Sequence, residues 1–210
     1  MDFQNIRINP YSQAPLEYIE YGSTYFPNED LQSLYEYSQR LNAAFAPNRL
    51  PQAILLHSVH NVDEQFQQPG LQGKYIKSEE ICTIHIVRLS LDPYARGVFW
   101  HEYGHHIWET LNLSILAEWR ELYSFIQTTA SFKEAQLLDL LLGGEYWTLP
   151  KELWARLFSQ YILLQLLDRE AAQMLAKEPE GLWTERDIEK CTPFISTILH
   201  RCGFIVSAPA

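Results

Sequence analysis

Two histidines four residues apart, inside a stretch already committed to helix, constrain this chain more than any other feature in it. His101-Glu102-Tyr103-Gly104-His105 lies within the run Asp92 to Leu111, where Asp92 is a usable N-cap and Pro93 suits the first helical position. Residues i and i+4 share one helix face, so both imidazoles can reach a single zinc ion. Glu102 then leans toward the open side of that metal, where it can polarise a bound water. Whatever the fold, it has to set this helix beside a cleft. Trp100 and Trp108 flank the motif and anchor its helix in a core.

The rest of the composition narrows the setting. With 210 residues the chain can bury one good core, and residues 1–210 read as a single domain. Within it, 1–27 form an irregular amino-terminal wrap, 28–112 a helix, a small sheet and the motif helix, and 113–210 a helical lobe. A net charge of −10 and an isoelectric point near 5.1 argue against nucleic acid as partner, because phosphate binding needs clustered Lys and Arg. The start Met1-Asp2-Phe3-Gln4-Asn5 has neither a basic nor an apolar run, and no long uncharged apolar stretch follows, so the expectation is a cytoplasmic chain that does not enter membranes. Cys82, Cys191 and Cys202 are odd in number and lack CxxC spacing; they read as thiols without a chemical role.

Along the chain, Pro10, Pro15 and Pro27 punctuate the aromatic first segment. From Asn28, apolar residues at Leu31, Leu34, Tyr35, Leu41 and Phe45 recur at helical spacing until Pro47. Strand-like runs follow at Ala53 to Val59, Lys74 to Lys77 and Ile81 to Leu89. Asn112 closes the motif helix. Ser114 opens a helical run to about Gln127, and a capping box Ser131-x-x-Glu134 opens another that stops at Gly143-Gly144. A heavily apolar helix runs from Pro150 to about Asp168. Thr184, with Trp183 and Ile188, fits a cap and hydrophobic staple, and Thr192-Pro193 restarts a helix that Gly203 can close. The fold class is therefore α+β: a small mixed sheet packed on the motif helix, followed by a mostly helical half. Ile81 to Leu89 is the expected edge strand, to which an extended peptide could add.

Two imidazoles leave a catalytic zinc short of its third protein ligand. A metzincin would continue with Gly and His where this chain has Trp108 and Leu111, and a thermolysin-like enzyme would place an Asn-Glu pair where Ser124-Phe125 stand. Glu109 lies about 12 Å up the helix from His101 at 1.5 Å per residue, too far to join one tetrahedron. Glu118, on the next helix, could fold back. Glu152 is favoured: it opens an otherwise apolar helix, small Ala155 and Ser159 on its side permit close approach of another helix, and Arg156 at i+4 can hold the carboxylate.

The pair of segments His101-Glu102-Tyr103-Gly104-His105 and Pro150-Lys151-Glu152-Leu153-Trp154-Ala155-Arg156-Leu157-Phe158 resembles the zincin-like metallopeptidases of the gluzincin type. It is especially similar to compact domains in polyvalent proteins of phages and mobile elements, where an HExGH helix precedes a Glu-x-x-Ala-Arg-x-Phe helix. The likeness spans about Ile81 to Tyr161. It implies a zincin-like fold, His101, His105 and Glu152 as zinc ligands, Glu102 as catalytic base, and a peptide or protein as substrate.

Hydrolysis would need an oxyanion donor besides the metal, for which Tyr146 and Tyr161 are candidates. A rival reading is a catalytically degenerate zincin that binds a protein partner. A di-iron carboxylate protein is disfavoured because no second Glu-x-x-His exists, and a deformylase because Cys82 lacks a Gly-Cys context. His57, His60 and His85 read as structural residues of the sheet, His200 as a helix-end residue, and His106 as pointing away from the metal.

Overall fold

The computed structural model describes residues 18–19, 54–58, 73–77, 82–86, 92–165, 168–177 and 182–201. They form a mostly helical molecule with one four-stranded mixed sheet, β1 Tyr18–Ile19, β2 Ile54–Ser58, β3 Gly73–Lys77 and β4 Cys82–Ile86, in the order β1-β2-β4-β3. The expected helix from Asn28 to Pro47, Cys202 and Gly203 lie outside the described residues. The segment 1–27 is not wholly irregular, because β1 within it pairs in parallel with β2.

The three strand-like runs became strands, but the expected edge is interior. β4 pairs in parallel with β2 on one side and antiparallel with β3 on the other, so the edge beside the motif helix is β3. The chemistry of connection explains it. A short link lets β3 fold back antiparallel onto β4, whereas parallel β2 and β4 need the longer excursion that β3 interrupts. His57 and His85 stand opposite each other in the β2–β4 register.

The motif helix α1, Pro93–Leu111, begins as its sequence predicts: the Asp92 carboxylate accepts from Ala95 N at 2.7 Å and Pro93 occupies the first turn. Asn112, with φ 48° and ψ 53°, ends it in the left-handed region that Asn tolerates. Twelve of its nineteen residues are buried, on every side, which makes α1 the central rod of the core.

Five more α-helices follow among the described residues: α2 Ala117–Ile126, α3 Ala130–Leu142, α4 Pro150–Gln165, α5 Arg169–Leu175 and α6 Glu185–Arg201. Their starts show where local signals misled. Ser114 opens only a 3-10 turn, Leu113–Ile115, with its hydroxyl donating to the Asn112 side chain, and α2 starts at Ala117. The cap of α3 is Thr129, whose hydroxyl accepts from Phe132 N; Ser131 is turned instead toward Asp187. Gly143, at φ 75°, closes α3 as expected. The helix from Pro150 is described as far as Gln165, and Asp168 caps α5 by accepting from Ala171 N. Pro193 does not restart a helix but sits inside α6. The missing amide costs one backbone bond, while Ile188, Cys191, Ile195, Ile198 and Leu199 bury one continuous apolar face across it. Among the described residues, no helix is long and apolar enough to cross a membrane.

Candidate metal centre

α1 packs most extensively on α4, and the sequence permits it at one point above all. A β-carbon at Gly104 would stand 2.8 Å from the Ala155 α-carbon, so the two backbones meet where one residue has no side chain and the other only a methyl group. Trp154 fixes the crossing by donating its indole N–H to the Gly104 carbonyl at 3.1 Å. This contact brings Glu152, one turn before Arg156 on α4, to the face of α1 that carries the two histidines.

Three side chains converge there. His101 Nε2 and His105 Nε2 are 3.2 Å apart, Glu152 Oε2 lies 3.3 Å from the first and Glu152 Oε1 3.4 Å from the second. One ligand atom from each of the three residues lies within 4.8 Å of the others, close enough for the group to hold a metal ion. Lone pairs aimed at one point also repel unless a cation or a proton is shared between them. The residues therefore fit a zinc ion, and their charge states agree. Burial presses His101 down to about 4 against the raising effect of Glu152, which leaves the ring neutral and able to ligate. Burial alone would raise the Glu152 carboxyl, but the close-lying rings of His101 and His105 outweigh it and hold the group well below the usual carboxylate range.

Glu102 is buried beside the triangle, and burial followed by the negative charge of Glu152 raises it to about 7, partly opposed by His105 and by a hydrogen bond from the Tyr75 backbone. That hydrogen bond ties the carboxylate to β3. Gly73 completes the approach, because a β-carbon there would lie 3.0 Å from Glu102 Oε1 and 2.5 Å from a Val98 methyl. His106 points away from His101 and His105 as its helical phase predicts; its Nδ1 meets the Tyr75 hydroxyl at 3.1 Å and Thr110 Oγ1 at 3.3 Å, so it docks α1 on β3.

The remaining candidates separate cleanly. Glu118 is engaged by Arg201 across α2 and α6 and takes no part in the triangle. Glu109 is exposed. The Tyr161 hydroxyl, on α4, faces Ser196 at 3.3 Å. Tyr146 instead hydrogen-bonds Glu152, and burial together with that carboxylate raises its phenol, so it is a donor at neutral pH. Arg156, fully buried, sits 3.7 Å from Glu152 Oε2 and beneath the rings of Tyr146 and Trp147, at 4.9 and 4.3 Å from their centroids.

Sequence reasoning missed Gly73, Tyr75 and Trp147. Gly73 had a readable signal, a glycine at the mouth of a strand; Tyr75 and Trp147 had none, since their roles arise from long-range placement. No protein-family model, curated protein or solved structure matches the chain.

Proposed function

We propose that the chain is a zinc-dependent metallopeptidase with a zincin-like arrangement, His101, His105 and Glu152 being the ligands and Glu102 the general base. The single observation that supports this most is the convergence of His101, His105 and Glu152 next to the buried carboxyl of Glu102. When bound, zinc supplies a Lewis acid and makes a water more acidic. Glu102 takes the proton of the attacking water and passes it to the leaving amine, a shuttle suited to a carboxyl whose pKa sits near the working pH. Arg156, its Nη2 3.7 Å from Glu152 Oε2, helps hold that carboxylate in place beside the histidines. The Tyr146 hydroxyl is the donor for the developing oxyanion, while Tyr161 is committed to Ser196. β3 is the edge along which an extended substrate adds, because its Tyr75 backbone already hydrogen-bonds Glu102.

The test is metal analysis of the purified chain combined with turnover on an unfolded protein substrate. Wild type is expected to hold one zinc and cleave; Glu102→Gln to hold zinc and not cleave; Glu152→Ala to lose zinc. Full activity in Glu102→Gln would remove the base from the mechanism. Stoichiometric zinc with no cleavage of any unfolded protein would leave a protein-binding module in place of an enzyme.

A further inference from the structure

The connection between α3 and α4 is held by one carboxylate. Asp139, buried in the last turn of α3, accepts from Trp147 N at 2.7 Å through Oδ1. Through Oδ2 it accepts from Thr148 N at 2.9 Å and from Thr148 Oγ1 at 2.6 Å. Its backbone carbonyl accepts the amides of Gly143 and Gly144 at 3.0 and 3.1 Å, so the same residue fixes both ends of the turn. The turn carries Tyr146 and Trp147, whose rings cover the Arg156 guanidinium.

That guanidinium is in an unusual position for a buried charge. Its Nε, Nη1 and Nη2 find no hydrogen-bond partner among the described residues, and Glu152 Oε2 at 3.7 Å is likewise without one. What faces the cation is therefore two aromatic rings and a carboxylate, and the strength of the Arg156–Glu152 attraction depends on those rings excluding water. Withdrawing them by a small distance would let water screen the pair and free Glu152 to rotate.

We propose that Asp139 is a positioning residue for the metal centre: by clamping Trp147 and Thr148 it holds the aromatic roof over Arg156, which in turn sets the ligating carboxylate of Glu152. The inference rests on the zinc reading above. Asp139 touches none of the three proposed ligands, so it acts through the turn it holds.

The deciding measurements use the full chain: zinc affinity by competition with a chromophoric chelator, the visible absorption of the cobalt(II)-loaded form as a report on coordination, and Tm without metal. Asp139→Asn is expected to weaken zinc by about 10–100-fold, the range for removing a group that orients a ligand, and to change the cobalt band intensities. Trp147→Leu should do the same, and Asp139→Asn combined with Trp147→Leu should lose little more than the worse single variant, because both act through one contact. Thr148→Val, which removes one hydroxyl donor and leaves both amides, gives a smaller loss in the same direction and keeps the test open if Asp139→Asn fails to fold. Wild-type zinc affinity and cobalt spectrum in Asp139→Asn, with only a lower Tm, would overturn the clamp while leaving the metal centre intact; strictly additive losses in the double variant would overturn it as well. A wild-type chain that binds no zinc overturns both.

Discussion

Glu152 and Asp187 are two carboxylates in the same molecule, both 5 % exposed and both with pKa values held below the ordinary range, yet their surroundings differ in kind. Asp187 stands at the start of α6, where its Oδ2 accepts from Ser131 N at 3.1 Å and Ser131 Oγ at 2.7 Å; Thr184 N donates to the same Ser131 hydroxyl, and the Thr184 side chain takes the Asp187 amide. Neutral donors from Ser131 satisfy that oxygen. Around Glu152 stand two imidazoles, the Tyr146 hydroxyl and an arginine without hydrogen bonds, and Oε2 itself is unsatisfied. Burial without satisfaction costs free energy, so a fold keeps such a cluster only where something else, a ligand or a reaction, makes use of it.

The comparison breaks first at the proposed ligand. Glu152→Gln keeps the side chain's volume but halves its capacity to accept and removes its charge, and zinc affinity is expected to fall by more than about 100-fold, beyond what loss of an orienting group alone costs. Competition titration reads this directly. Retention of wild-type affinity would place the metal, if any, elsewhere, and the contrast with Asp187 would vanish.

A smaller effect is expected from the helix crossing that creates the site. In Gly104→Ala the new methyl carbon meets Ala155 backbone at 2.8 Å, and a backbone cannot swing aside as the end of a side chain can. Overpacking of this sort costs about 1–3 kcal/mol. It also moves Glu152 away from His101 and His105, so zinc affinity should drop together with Tm. A Tm loss with unchanged zinc binding would mean that α1 and α4 separate elsewhere than at the ligands.

How far the sequence told these two regions apart follows from the range of each signal. His101, Glu102, His105 and the caps Asp92, Pro93 and Asn112 were legible because every relation involved lies within one helix. Glu152 was legible more weakly, as a charge in an apolar helix with small neighbours, which favoured it over Glu118; the Gly104–Ala155 crossing that brings it to the histidines appeared only in the fold. The roles of Tyr75 and Trp147 were hidden, since one depends on which strand occupies the sheet edge and the other on a turn folding back over α4. The same blindness misplaced the α3 cap: Ser131 had the right pattern for a capping box, but Asp187, 56 residues later, claimed its hydroxyl. Local rules lost there to a tertiary hydrogen bond that closes a buried network.

That network supplies the smallest and cleanest prediction. Asp187→Asn keeps the shape of the side chain and one acceptor while weakening a charged hydrogen bond to Ser131, which should cost about 1–2 kcal/mol of stability and leave zinc affinity untouched. Because the folded state holds Asp187 below its unfolded value, near 3.9, the ionised form contributes stability that is fully present above that pH. The contribution is lost as pH falls through the lower folded pKa. The difference in Tm between wild type and Asp187→Asn should therefore be constant from neutrality down to about pH 5 and shrink on further acidification. A gap that stayed constant to pH 3 would show that packing, not charge, carries the effect. A change in zinc affinity would show that the closed network and the open one are coupled through the helices between them, and the two carboxylates would have to be treated as parts of one site.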